Sequence, residues 1–237
     1  MRYCRQNLLK ILDKRKQKLL SGSLVVVLGL GALGSRSIEL LARAGVKNFI
    51  IIDRDIVDIT NLQRQTLYVE EDLNKEKSSQ IKNHLLAIDK TLKIKEFTLD
   101  LDNKNIDKFI PKNADLILDC TDNYDAKFLL NKFAVKNKIP LIYSVVLQTR
   151  GYVFNILPNK PCLSCFLKNP SEFLGNCDVS GILNTACSLI SSIQANEAIK
   201  ILTKQTAESD LIFADIWKNS IEKFKVKKLA SCKVCSK

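Results

Sequence analysis

Leu24-Val-Val-Val-Leu-Gly29-Leu-Gly31-Ala-Leu-Gly34-Ser-Arg-Ser-Ile-Glu-Leu-Leu-Ala-Arg-Ala44 decides the fold of this chain. Leu24–Leu28 is apolar and largely β-branched, the mark of a parallel strand covered on both faces. A Gly-x-Gly-x-x-Gly loop follows at once. Helical spacing then runs over Leu33–Ala44, and Gly45 closes it. Gly29 permits a tight turn, Gly31 lets backbone approach a phosphate, and Gly34 lets the helix lie close to the strand. The helix N-terminus would present free N–H groups to that phosphate. The next strand, Phe49–Ile52, ends at Asp53, 24 residues after Gly29. A carboxylate there can take both hydroxyls of an adenosine ribose.

Outward from this unit the same alternation continues. Helices are expected over Lys75–Asp89, Asn105–Ile110 and Tyr124–Lys136, and strands over Ile94–Leu99, Leu116–Leu118 and Leu141–Val146. Strands alternating with helices imply a parallel sheet with right-handed crossovers. Beyond Gln148 the pattern changes. Tyr152–Leu157 alternates as an antiparallel strand does, 158–181 reads as loop, and Ile182–Leu202 as a long helix. Leu211–Ile216 and Ser220–Val226 read as a hairpin across Lys218-Asn219. Residues 5–20 place leucine and isoleucine at helical spacing among Lys and Arg, predicting an amphipathic helix.

With 237 residues, 46% of them hydrophobic, the chain can bury the core of one large α/β domain. No stretch approaches the roughly 20 apolar residues that span a bilayer. Met1-Arg-Tyr-Cys-Arg-Gln leads into charged sequence rather than a signal-peptide core, so the expected location is the cytoplasm. The net charge is +12, from 37 Lys+Arg against 25 Asp+Glu. That favours an acidic partner. The lysines are scattered and no nucleic-acid module is recognisable, so nucleic acid is not the expected partner.

The stretch Asp53-Arg-Asp55-Ile-Val-Asp58-Ile-Thr-Asn61-Leu-Gln-Arg64-Gln65 separates two readings of the glycine loop. Hydride transfer needs an apolar slot for nicotinamide. Here carboxylates, amides and a guanidinium cluster just past the ribose acid, which suits a triphosphate with magnesium. Lys77 and Asp122 could complete the set, one as a point cation, the other as a Mg²⁺ ligand at the carboxyl end of a strand. Taken singly, each could be a solvated surface charge. The one histidine, His84, lies on an expected helix and reads as structural or superficial.

Cys162-Leu-Ser-Cys165 and Cys232-Lys-Val-Cys235 stand 66 residues apart. Four such thiolates form the tetrahedral shell of a structural Zn²⁺, pinning the C-terminal tail to the loop at Pro161. A redox pair is the rival. With no export signal, disulfides are not expected. Cys177 precedes the long helix, where its pKa could be lowered, although Asp178 opposes that. Cys4, Cys120 and Cys187 read as small apolar fillers.

Arg2-Tyr-x-Arg5-Gln6, the glycine loop, Asp53-x-Asp55, Asn61-Leu-Gln-Arg64-Gln65, Lys77, Cys120-Thr-Asp122-Asn123 and the two cysteine pairs occur in order over nearly the whole chain. In that order they resemble the ThiF/MoeB/HesA family, the prokaryotic relatives of ubiquitin-activating enzymes. The resemblance implies one adenylation domain over 1–237: a Rossmann-like part, 1–147, and an antiparallel extension, 148–237, with a crossover loop and a Cys4 zinc site. It further implies a homodimer in which ATP adenylates the C-terminal glycine of a small ubiquitin-like carrier ending in Gly-Gly.

By the same resemblance, Gly29, Gly31, Gly34, Asp53 and Asp55 hold the nucleotide. Gln65 belongs with them. Asn61, Arg64 and Lys77 surround the phosphates, and Asp122 positions magnesium. Arg5 reaches the partner subunit's phosphates, and Cys177 matches a crossover-loop cysteine that some members use to take up the carrier. Ala32 stands where the family often has another glycine. No sulfurtransferase domain is expected after Cys235, so a sulfurtransferase or desulfurase would act in trans. Activation of a carboxylate on modified tRNA or on a peptide, protein tagging, a non-catalytic scaffold and a nicotinamide oxidoreductase remain alternatives.

Overall fold

A computed structural model describes residues 2–167 and 181–236. Eight strands form one sheet: β1 (Leu24–Leu28), β2 (Asn48–Ile52), β3 (Lys93–Phe97), β4 (Leu116–Asp119), β5 (Leu141–Leu147), β6 (Arg150–Ile156), β7 (Leu211–Asp215) and β8 (Ser220–Phe224). Their order is β3-β2-β1-β4-β5-β6-β7-β8. Pairings from β3 through β5 are parallel, and those from β5 through β8 antiparallel. Both parts of the sequence reading are therefore present in a single sheet. The chain winds outward from β1 to β3, then returns to place β4 on the other side of β1. That reversal opens a crevice between the carboxyl ends of β1 and β4, where ligands bind in open α/β sheets.

Strand β1 shows why the sheet is covered on both sides. Val25 and Val27 join one core, with Phe49, Ile51 and Leu118. Val26 and Leu28 join the other, with Ile50, Ile52 and Ile117. Each fully buried Val or Ile contributes about 1.5–3 kcal/mol, so the two-sided strand is a strong determinant of topology. Helices α1 (Lys14–Gly22), α2 (Ala32–Ala44) and α3 (Lys77–Ile88) precede α4 (Ile106–Phe109), α5 (Tyr124–Asn137) and α6 (Asn184–Leu202). Buried residues of α2, α3 and α6 belong to the first core, and those of α4, α5 and the cysteine segments to the second.

The N-terminal expectation needs correction. Instead of one helix over 5–20, two short 3-10 turns, Gln6–Leu8 and Lys10–Leu12, precede α1. Asp13 is the physical reason. It is extended (φ −71°, ψ 179°), and its carboxylate accepts from Lys16 N, so it caps a new helix and ends the old one. Leu8, Leu9 and Ile11 are consequently exposed. No helix among the described residues is long and apolar enough to cross a membrane.

Candidate nucleotide and metal sites

The glycine loop turns as its sequence requires. Gly29 has φ +79°, and a Cβ there would stand 2.6 Å from the Cys120 carbonyl oxygen. A Cβ on Gly34 would lie 1.9 Å from the Gly29 carbonyl oxygen, so α2 touches the loop backbone. At Gly31 the nearest atom to such a Cβ is Gln65 Nε2, at 3.7 Å. The loop is thus closed toward β4 and open above Gly31. Gly31 is the N-cap of α2 and has no side chain to satisfy the first helical amides. Those donors face an approaching anion with the helix dipole behind them. Ala32 is the first residue of α2 and fits there without disturbance.

Asp53 braces this loop. Its Oδ2 accepts from Leu30 N at 2.5 Å and its Oδ1 from Asp55 N at 2.8 Å. Burial pushes the Asp53 carboxyl above its ordinary value, against the pull of those two amides. A carboxylate offers about four lone-pair positions, so capacity for ribose hydroxyls remains. Asp55 Oδ2 lies 3.0 Å from Lys77 Nζ, and the Lys77 side chain is only 7% exposed, so the ammonium is directed rather than solvated.

Asn61 and Asp58 form a reciprocal cap, with Asp58 N donating to Asn61 Oδ1 and Thr60 N to Asp58 Oδ1. This local structure turns the chain toward Arg64 and Gln65. Arg64 Nη1 donates to Thr60 O at 2.8 Å and has no carboxylate partner among the described residues. Gln65 is buried, and its Oε1 has no hydrogen-bond partner among them. Asp122 is exposed, just past the end of β4. An uncapped helix and a guanidinium without a carboxylate partner among the described residues suit phosphate oxygens, and an exposed carboxylate suits a divalent cation.

Arg5 is not brought to this group. Gln6 Nε2 donates to Ala44 O, and Tyr3 packs beside Gly45, so the segment lies at the carboxyl end of α2. Thirteen helical residues separate it from Gly31, about 20 Å. Cys177 lies outside the described residues. Cys120 and Cys187 are buried as expected, whereas Cys4 is exposed, because its segment only skirts α2. Burial and the adjacent Asp119 push the Cys120 thiol up to about 12, which keeps it protonated. His84 Nε2 is 2.6 Å from Asp72 Oδ2 and ties α3 to the turn at Glu70–Asp72, a structural role.

Sequence reasoning missed a polar layer beneath the crevice. Lys127 Nζ lies 3.3 Å from Asp119 Oδ1, with both side chains 1% exposed. Lys127 also donates to Ser144 O, and Gln194 Nε2 donates to Ser144 Oγ at 2.8 Å. The inward face of α5 carries Lys127, Leu130, Asn131 and Ala134. That helical spacing was a readable sign that Lys127 is no surface lysine.

Cys162, Cys165, Cys232 and Cys235 are all buried, with their four sulfurs within 4.8 Å of one another. The Cys162–Cys232 and Cys165–Cys235 sulfur pairs stand 3.7 and 3.4 Å apart. Tetrahedral zinc with bonds near 2.3 Å would set sulfurs about 3.8 Å apart, so the cluster fits that ion and is too open for disulfides. Asn131 holds the first pair in place, its Oδ1 accepting from Leu163 N and its Nδ2 donating to Ser164 Oγ. Burial pushes the Cys232 thiol up, but the Cys235 and Val234 amides more than offset it and bring it to about 7.

Residues 3–234 match the ThiF family. A sulfur carrier protein ThiS adenylyltransferase of Bacillus subtilis is 36% identical over 221 residues, 92% of this chain and 66% of that protein's length. A molybdopterin-synthase adenylyltransferase of Salmonella typhimurium is 32% identical over 239 residues, 99% of this chain and 96% of that one. The crystal structure of E. coli MccB with ATP superposes with a TM-score of 0.87 at 22% identity, covering 100% of this chain and 75% of that one; at this identity the likeness speaks for the fold. The chain therefore belongs to the ThiF family, and these two curated relatives are adenylyltransferases.

Proposed function

We propose that this ThiF-family adenylyltransferase uses ATP to activate the C-terminal glycine carboxylate of a small ubiquitin-like sulfur carrier ending in Gly-Gly. The observation that carries the reading is the set of groups about the crevice: an uncapped α2, the directed Lys77 ammonium, Arg64 without a carboxylate partner among the described residues and the exposed Asp122. That is the equipment a carboxylate needs. It is already ionised at neutral pH, so no general base is required. A carboxylate oxygen bonds to the α-phosphorus, the bond from that phosphorus to the β-bridging oxygen breaks, and pyrophosphate departs. The products are an acyl-adenylate and pyrophosphate.

Asp53 fixes the ribose and the α2 N-terminus receives phosphate oxygens. Arg64 and Lys77 neutralise charge developing on the α-phosphate and the leaving group. Magnesium would neutralise phosphate charge, and the exposed Asp122 carboxylate would hold it. Arg5 acts across a homodimer, since its own subunit keeps it at the wrong end of α2. Cys177 is the proposed thiol for taking up the carrier. The cysteine cluster would hold a structural Zn²⁺ with all four positions filled. A sulfurtransferase or desulfurase in trans would supply sulfur, for thiamine- or molybdopterin-type cofactor synthesis.

The test is ATP–pyrophosphate exchange measured with and without a carrier of each type. Exchange that requires the Gly-Gly end is expected. Exchange driven by a modified tRNA and by no carrier would replace this reading.

A further inference from the structure

We infer that Asp119 and Lys127, neither of which faces the crevice, are positioning residues that set Asp122 for the magnesium-bearing nucleotide; the inference rests on the adenylation reading above. A buried ion pair is a weak source of stability, because desolvating both charges offsets their attraction. What it supplies is direction. Asp119 Oδ1 accepts from Thr121 N at 3.1 Å, Thr121 Oγ1 at 2.7 Å and Lys127 Nζ at 3.3 Å. Thr121 is thereby fixed by two hydrogen bonds to the last residue of β4. Two residues on, Asn123 Oδ1 accepts from Ala126 N and starts α5. Asp122 is the single residue between these anchors. Its carboxylate makes no hydrogen bond among the described residues and meets Arg54 through charge only, so its backbone is what fixes its position.

Lys127 joins the two anchors. It lies on the first turns of α5, and its ammonium reaches back to Asp119 and to Ser144 O, both at 3.3 Å. Ser144 Oγ donates to Asp119 O at 3.0 Å and accepts from Gln194 Nε2. Gln194 Oε1 accepts from Ser37 Oγ on α2 at 2.6 Å. The helix that presents the phosphate-facing amides and the turn that presents Asp122 are thus referenced to one buried polar network. An apolar pair of equal volume would fill the space and leave the Asp122 turn with one anchor fewer.

Lys127→Met alone leaves Asp119 buried and unpaired, and that variant is expected to fold poorly. The informative protein is the double variant Asp119→Asn/Lys127→Met, which removes both charges together, compared with Lys127→Arg. Three quantities are read: thermal midpoint, affinity for ATP by calorimetry with and without Mg²⁺, and the kinetics of carrier-dependent exchange. The double variant should keep its midpoint within a few degrees and bind metal-free ATP as the wild type does. Its gain in affinity on adding Mg²⁺ should shrink about tenfold, and kcat should fall about 100-fold, the scale of an ångström of misplacement. Lys127→Arg should restore most of both.

Wild-type Mg²⁺ enhancement and kcat in a folded double variant would overturn the inference. So would an equal loss of metal-free and metal-bound ATP affinity, which marks a general structural defect. If the wild type shows no exchange with any carrier, the functional reading fails, and the calorimetric comparison still decides whether this pair sets Asp122.

Discussion

The crevice beside β1 and the cysteine staple near the tail are both polar clusters inside one apolar fold, and they are finished differently. At the staple each of four buried sulfurs faces the others, and Asn131 ties the first cysteine segment to α5. In the crevice, groups are left over: Arg64 without a carboxylate partner and Gln65 Oε1 without a donor among the described residues, and Asp122 exposed with only the charge of Arg54 acting on it there. A closed shell offers an incoming molecule nothing, whereas unsatisfied groups on a rigid frame are poised to gain partners. The contrast teaches that completeness of bonding separates a structural centre from a reactive one, even where both are rich in chemically versatile side chains.

Lys77 gives the sharpest way to break this comparison. Lys77→Ala should lower carrier-dependent exchange by 100-fold or more, the loss seen when one directed charge is removed from a transition state. Its partner Asp55 is 49% exposed and keeps its water, so the thermal midpoint should move little. A large loss of midpoint with normal exchange would put Lys77 among the structural groups instead.

Cys232→Ser should do the converse. Bound zinc, measured by atomic absorption, should disappear, and the midpoint should fall on the order of 10 °C. The KM for ATP of the remaining folded protein should stay within about twofold, because all four ligand positions of the staple are internal. Normal stability after chelation would show that the four sulfurs hold nothing.

Gln65→Leu sharpens the contrast further. Replacing an orphaned polar group by an apolar one of similar shape is neutral or stabilising for folding. The midpoint should therefore hold or rise while the KM for ATP rises about tenfold, the loss of roughly 1.4 kcal/mol of binding. An unchanged KM would mean that this amide serves nothing in the crevice.

The smallest effect is expected far from both regions. Burial pushes the Asp89 carboxyl up, but Lys47 Nζ and the Thr91 amide and hydroxyl outweigh that and hold it well below the usual carboxylate range. A folded-state pKa below the unfolded one gives stability that is present above about pH 4 and lost as pH falls toward the folded value. Asp89→Asn should lower the midpoint by about 2–4 °C at pH 7, and the gap should narrow steadily as pH falls below about 4. A gap independent of pH would assign the effect to packing.

Local order carried most of what could be read without coordinates. Gly29, Gly31, Gly34 and Asp53 act within one strand–loop–helix–strand unit, so their spacing alone places them. The switch to antiparallel pairing after Leu147 showed in the alternation of Tyr152–Leu157. Lys127 was harder to see, because it is one of many lysines and its partner Asp119 is a strand end eight residues away. Only the packing of α5 on the sheet makes that pair buried. Arg5 shows the same limit. Its sequence neighbourhood suggests a helix, but Asp13 restarts the chain and Gln6 fastens the segment to Ala44. The Cys-x-x-Cys pairs were legible as a metal motif, while the contribution of Asn131 depended on a contact across 31 residues.

The outer rim of the sheet has its own consequence. Strand β8 has no neighbour on its far side among the described residues, so its amides and carbonyls form a free template for another extended chain. Glu222 and Lys223 stand exposed on it and Lys225 just past its end, and charged side chains on an edge disfavour pairing with another strand. The charged side chains of this edge thus guard the molecule against its own copies, and replacing Glu222 and Lys223 by apolar residues should bring it nearer to aggregation.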